Sequence, residues 1–193
     1  GYTSTAAPRI ASAVAMLVQA GHDNAAWSSD PVTTSMTNRA GVLVRNAERS
    51  EVIKAALMAG ADRVTHDSTS ADLLNYRRSA TDQTANGLDR RYGAGQLNAR
   101  NSYWILAAGE QGSTEDGNAA ANVASRGFDY DPYFGGSSGS NTTATYPLPV
   151  DTVPRLLTAA LVWNLDINGG TASSFNPAAT LRDLNLEVLD LSE

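Results

Sequence analysis

Cysteine is absent from the 193 residues, which removes disulfides, thiolate metal sites and cysteine nucleophiles together. The compartment stays open, because secreted proteins without cysteine are common. Lysine is almost absent as well: Lys54 stands alone, the other basic residues are arginines, and no basic cluster exceeds the doublets Arg77-Arg78 and Arg90-Arg91. With a formal net charge of -6, the chain offers no concentrated positive face for a nucleic acid. No apolar run approaches the ~20 residues of a membrane span. The sequence opens without an initiator methionine or a signal peptide, so Gly1 is not expected to be the biological start.

What is present is an ordinary globular composition, 42% hydrophobic and 18% charged, enough for one or two domains with a sizeable core. The first stretch is the most informative. From Ile10 to Val18 nearly every residue is Ala, Val, Met, Leu or Ile, which predicts a helix apolar on all faces and therefore buried. Pro8 suits the first helical turn and Gly21 is placed to end the helix. Ser4 then lies at the positive end, where unpaired N–H groups and the helix dipole stabilise charge developing beside a nucleophilic oxygen. Local physics alone favours the plainer reading of Ser4 as an N-cap.

The run Thr3-Ser4-Thr5-Ala6-Ala7-Pro8 resembles the nucleophile motif of the subtilisin-like serine peptidases, Gly-Thr-Ser-x-Ala-x-Pro, matching it at Thr3, Ser4, Ala6 and Pro8. Tyr2 stands where the family usually has glycine. A second segment, Tyr92-Gly93-Ala94-Gly95-Gln96-Leu97-Asn98-Ala99, resembles the one that precedes the last helix of the subtilase catalytic domain, and the two signatures occur in the family's order. The resemblance implies that Ser4 is the nucleophile and that its own backbone N–H helps hold the oxyanion. In the family the triad runs Asp, then His, then Ser, so the Asp, the His and the side-chain oxyanion donor are expected upstream of Gly1.

Periodicity organises the rest. Met36, Ala40, Leu43 and Val44 fall at helical spacing, and residues 50–60 form a clearer helix with Ser50 as cap and Gly60 as stop. Residues 62–91 read as polar loop, and residues 100–108 as a helix. Residues 113–124 are the expected linker between a domain over 1–112 and another over 125–193. Beyond it, Phe128 to Phe134, Thr142 to Leu148, Arg155 to Leu165 and Leu184 to Val188 alternate as strands, with Gly135 to Ser140 as a turn. This tail looks like the jelly-roll β-sandwich that many secreted subtilases carry, with fewer strands than a complete one. The expected fold is thus α/β, the C-terminal helical part of a subtilisin-like catalytic domain followed by an all-β jelly-roll segment, the whole a fragment cut at both ends.

Neither histidine serves as the base. His22 lies roughly 25 Å of helical rise from Ser4, and a lone histidine in a polar loop, as His66 is, is most often solvated. Asp129 and Asp131, beside the Gly/Ser/Asn-rich turn, are the candidate ligands for calcium, although an acidic strand and turn is usually just solvated. No cofactor is required for the chemistry; structural calcium is consistent with the family. Trp104 and Trp163 read as core residues. The resemblance implies a secreted serine endopeptidase acting on a polypeptide substrate, with the missing N-terminal part of the catalytic domain as its obligatory partner. Without that part the nucleophile helix lacks the parallel sheet that buries it, so the chain alone is expected to be inactive and to fold poorly. The competing reading is a non-catalytic subtilase remnant that binds or builds through its β-sandwich.

Overall fold

The computed structural model describes residues 3–28, 36–65, 72–73, 79–115, 122–132, 134, 142–149, 156–180 and 182–190. Two compact units divide the chain, Gly1–Ala160 and Leu161–Glu193. Helices occupy the first and an antiparallel strand pair the second. Among the described residues no helix is long and apolar enough to cross a membrane.

Among the described residues, three α-helices shape the first unit: α1 (Thr3–Asp23), α2 (Ser50–Gly60) and α3 (Ala99–Ala107). The core gathers Leu17 of α1, Ala47, Val52, Ile53 and Ala56 of and before α2, Leu106 of α3, and Phe128, with Val14, Val18, Trp27 and Ile105 packed around it. Small residues let the helices approach. A Cβ on Gly60 would lie 2.8 Å from the Ser102 backbone nitrogen, and one on Gly21 would lie 2.7 Å from the Ala47 carbonyl oxygen. Gly21 therefore sits within α1 as a packing residue rather than ending it, and the helix runs on to Asp23.

Residues 36–47, expected to be helical, form a small hairpin over 36–44 instead. Asn38 Oδ1 accepts the Ala40 and Val42 N–H groups at 2.9 and 3.0 Å, Gly41 turns the chain at φ 76°, and the Val44 N–H reaches the Met36 carbonyl at 2.7 Å. An asparagine side chain that bonds its own backbone competes with the helix ladder, and here it wins over four weakly spaced apolar residues. A 3-10 turn at Asn46–Glu48 then leads into α2. Val52, Ile53 and Ala56 carry that helix into the core.

Past α3 the chain turns back on itself. The Gln111 N–H donates to the Phe128 carbonyl at 2.7 Å, Thr114 N–H to Thr145 at 2.8 Å and Val123 N–H to Pro147 at 2.9 Å, so both described ends of the expected linker are hydrogen-bonded within the first unit. The alternating segments of the tail are not strands among their described residues. Among the described residues the strands are β1 (Asp166–Thr171) and β2 (Ser174–Thr180), paired antiparallel in the stretch expected to be a loop. Alternation tells which faces a strand would show but supplies no ladder partner. The hairpin has its partner at hand, because the Thr171 hydroxyl accepts the Ser174 N–H at 3.1 Å across a tight turn, and the ladder slips at Asn168/Gly170, where glycine accommodates a bulge. Ile167 and Phe175 remain exposed on it.

Candidate active site

Ser4 lies in the first turn of α1 and is exposed. Its N–H belongs to the group that finds no intrahelical acceptor at a helix start, so the serine oxygen and a backbone donor stand together at the positive end. Pro8 adds a second effect. It lies inside the helix, four residues after Ser4, and a proline there can neither donate to the carbonyl of residue i−4 nor avoid crowding it. That carbonyl is Ser4's own. The Ser-x-x-x-Pro spacing thus loosens the ladder at the serine, while the Ser12 hydroxyl steadies the next turn by donating to the Pro8 carbonyl at 2.9 Å.

Among the described residues, no histidine or carboxylate hydrogen-bonds to Ser4. His22 is at the opposite end of α1, its Nδ1 3.1 and 3.2 Å from the carboxylate oxygens of Glu48. Glu48 in turn accepts the Arg45 N–H at 2.6 Å, and the Arg45 guanidinium donates to the His22 carbonyl. This cluster fastens the end of α1 to the turn before α2 and does not face Ser4. His66 lies outside the described residues.

The 92–99 segment forms a joint between helices. Asp62 and Gln96 exchange both backbone hydrogen bonds at 2.9 and 3.0 Å. Gly95, at φ 132°, sits so close that a Cβ would fall 2.3 Å from the Asp62 carbonyl oxygen, a position that requires glycine. Asn98 caps α3 by accepting the Asn101 N–H at 3.0 Å and donates to the Asp62 carboxylate at 2.9 Å. The Asn101 amide reaches the Gly60 carbonyl at 3.2 Å. These contacts are structural: they fix the start of α3 against the end of α2.

An apolar groove of about 390 Å³ runs between α1 and α3, lined by Ala13, Met16, Leu17 and Ala20 on one side and by Ala99, Tyr103 and Trp104 on the other. Met16 is 68% exposed and Trp104 45%, so Trp104 is not the core residue expected. It stacks edge-on with Tyr103, itself edge-on to Trp27. Trp163 is half-buried. Most of α1 is likewise open, with only Ala13, Leu17 and Gly21 buried.

Comparison with models of known families, with curated proteins and with solved structures finds no match to this chain.

Asp129 does not offer a free carboxylate to a metal. Its Oδ1 accepts the Tyr130 N–H at 2.8 Å and its Oδ2 accepts the Tyr146 hydroxyl at 2.5 Å. Asp131 stands two residues on, half-buried, and no group of three metal-ligating side chains occurs among the described residues. Calcium takes about six to eight oxygens, and the Gly135 to Ser140 turn beside this pair lies outside the described residues.

Sequence reasoning missed a buried polar network. Asn46, fully buried, donates to Glu110 Oε1 at 2.7 Å and accepts from the Arg49 Nε at 3.2 Å. The Arg49 guanidinium lies 4.5 Å over the Tyr130 ring. Burial pushes the Tyr130 phenol up, against the opposing pull of Arg49. The network ties the start of α2 to the chain on either side of the Gln111–Phe128 contact. Its members come from distant stretches, so no local pattern announces it.

Proposed function

We propose that the chain is the C-terminal part of a subtilisin-like serine endopeptidase: the helical end of an α/β catalytic domain, followed by part of a jelly-roll domain. Ser4 attacks the scissile peptide carbonyl, its backbone N–H helps hold the oxyanion, and a His and an Asp supplied by upstream sequence take and orient the proton. The observation that carries this reading is the placement of Ser4, exposed in the first turn of α1 with Pro8 one turn ahead. A serine that served only as a cap would gain nothing from a proline that weakens the turn it caps. The exposed apolar faces of α1 add support, since a helix of this composition is built to be covered. The substrate is a polypeptide and the setting extracellular, both on the strength of the resemblance alone.

A base is required because a serine hydroxyl is a poor nucleophile until its proton is taken. None hydrogen-bonds to Ser4 among the described residues, so this chemistry draws its base from the upstream segment. The test is hydrolysis of a peptide substrate by the parent protein that includes the upstream sequence. Ser4→Ala lowers kcat by about six orders of magnitude, the loss known for subtilisin's own nucleophile. Residual hydrolysis within about tenfold of wild type, or an upstream sequence lacking an Asp followed by a His, would leave Ser4 as a helix cap. Function would then rest with the β-rich tail as a binding or structural module, a reading that the exposed Ile167 and Phe175 of the hairpin favour.

A further inference from the structure

The chain contains two Asn-Gly pairs, Asn86-Gly87 and Asn168-Gly169, and the structure treats them differently. Asn168 is held opposite Ala178 in the ladder of the β-hairpin. Asn86 and Gly87 are both exposed at the tip of a turn in which the Thr84 N–H donates to the Leu88 carbonyl at 2.8 Å and the Gly87 N–H to the Thr84 carbonyl at 3.0 Å. The Thr84 hydroxyl donates to Asn86 Oδ1, with the Leu88 carbonyl, 3.1 Å away, competing for the same proton.

We propose that Asn86 is a site of spontaneous deamidation, and that it converts ahead of Asn168 in the folded chain. Gly87 has no side chain to shield its nitrogen, and the space where a Cβ would stand is empty. Local opening of the turn frees that nitrogen from the Thr84 carbonyl, and an exposed hydrogen bond at a loop tip opens at small cost. The nitrogen loses its proton to solvent base and attacks Asn86 Cγ. The new N–Cγ bond closes a five-membered imide, the Cγ–Nδ2 bond breaks, and Nδ2 leaves as ammonia after gaining a proton. As negative charge develops on Oδ1, the Thr84 hydroxyl is already placed to receive it, the same stabilisation an oxyanion donor provides. Water then adds to one imide carbonyl. Opening at the side-chain carbonyl gives aspartate; opening at the backbone carbonyl gives isoaspartate, with the chain routed through the side chain. The net change is one water consumed, one ammonia released and one negative charge gained. In strand β1 the ladder pairs Asn168 with Ala178 on one side of the slip and Gly170 with Phe175 on the other, which restrains the backbone on both sides of the Gly169 nitrogen.

The position has a structural consequence. Leu88 follows directly, and its N–H donates to the Thr84 hydroxyl at 3.1 Å. Next comes Asp89, buried, whose Oδ1 accepts the Arg91 and Tyr92 N–H groups at 2.8 and 2.7 Å at the entry to the 92–99 joint. An extra backbone atom at position 86 lengthens the turn that feeds this joint. This inference does not depend on the peptidase reading.

The experiment is to age the whole chain in mildly alkaline buffer and follow it by charge separation and peptide mapping with enzymatic isoaspartate detection. Isoaspartate is expected in the peptide carrying position 86 before it appears in the one carrying 168, and the acidic species is expected to comigrate with Asn86→Asp. Gly87→Ala is expected to lose the signal, and because Gly87 adopts φ 72°, Asn86→Gln serves as a second silent variant that leaves the backbone unchanged. Unfolding in denaturant should remove the difference between the two sites. An intact Asn86 amide, equal or faster conversion at Asn168 in the native chain, or an acidic species that maps elsewhere would overturn the proposal.

Discussion

Replacing Gly60 by alanine sets two effects of known sign against each other. Alanine is favoured over glycine in a helix by about 1 kcal/mol, and Gly60 is helical. The added methyl, however, would fall 2.8 Å from the Ser102 nitrogen, 2.9 Å from its hydroxyl and 3.1 Å from its Cα. Two of these atoms are backbone, in a helix that Asn98 caps and that Leu106 anchors in the core, so neither can swing aside. Forcing a methyl into such a contact costs about 1–3 kcal/mol or more. Gly60 is the last residue of its helix, so the propensity gain is at most that figure; the clash outweighs it, and Gly60→Ala is expected to destabilise the first unit by up to about 2 kcal/mol net. Urea unfolding followed by far-ultraviolet circular dichroism should show a lower midpoint at unchanged slope. Adding Ser102→Ala should bring no recovery, since it removes only the hydroxyl. A midpoint that rises with Gly60→Ala, or one that Ser102→Ala restores, would refute the assignment of α2–α3 spacing to this backbone contact.

Further outcomes follow from charge. Glu115 accepts the Thr145 N–H and hydroxyl at 2.7 and 2.9 Å, and the backbone donor first, then that hydroxyl, hold its carboxyl down from 4.5 to about 2. Its contribution to stability is therefore complete above the ordinary carboxylate range and is lost as pH falls from there toward about 2. Exchange protection of the Thr145 amide should fade over that window and be pH-independent in Glu115→Gln; a midpoint at 4.5 would sink the pairing. Tyr130 behaves oppositely. Burial raises its phenol, so the stability linked to it is full below the ordinary value of 10.0 and falls as pH climbs above it. The tyrosinate absorbance should show a late component that disappears in Tyr130→Phe, and a titration curve unchanged by that substitution would count against the burial of the Tyr130 phenol.

Helices were legible where the period is clear. Residues 50–60 have it, and the element has those bounds, although Arg49 and not Ser50 stands at the N-cap and makes no side-chain cap bond; residues 100–108 were read from their apolar face, and the helix, Ala99–Ala107, starts one residue earlier behind the Asn98 cap. The 36–44 segment has the spacing without a cap, and Asn38 with Gly41 redirects it. The tail has alternation without a visible partner, whereas the true ladder joins two stretches rich in Gly, Ser and Asn that show no alternation. Ser4 was legible as a helix-terminal serine, and the structure adds the reason its spacing to Pro8 matters. The Asn46–Arg49–Glu110–Tyr130 network was illegible because its parts lie far apart in sequence and each is, by itself, an ordinary polar residue.

The two apolar helices of the first unit differ in a way that bears on the proposed chemistry. Helix α2 is short and puts Val52, Ile53, Ala56 and Gly60 into the core. Helix α1 is longer and equally apolar along its middle, yet its buried residues, Ala13, Leu17 and Gly21, trace a single seam at every fourth position. Ala15 and Met16 face out, as does everything from Thr3 to Ser12. Helices in proteins draw most of their stability from tertiary packing rather than propensity, so the turn carrying Ser4 is the part of α1 with the least to hold it. A catalytic serine must be fixed within about 0.5 Å of its working geometry. Under the proposed function, the upstream part of the catalytic domain therefore has two tasks on this helix: supplying the base and covering the faces of α1 so that the serine stays where the base can reach it.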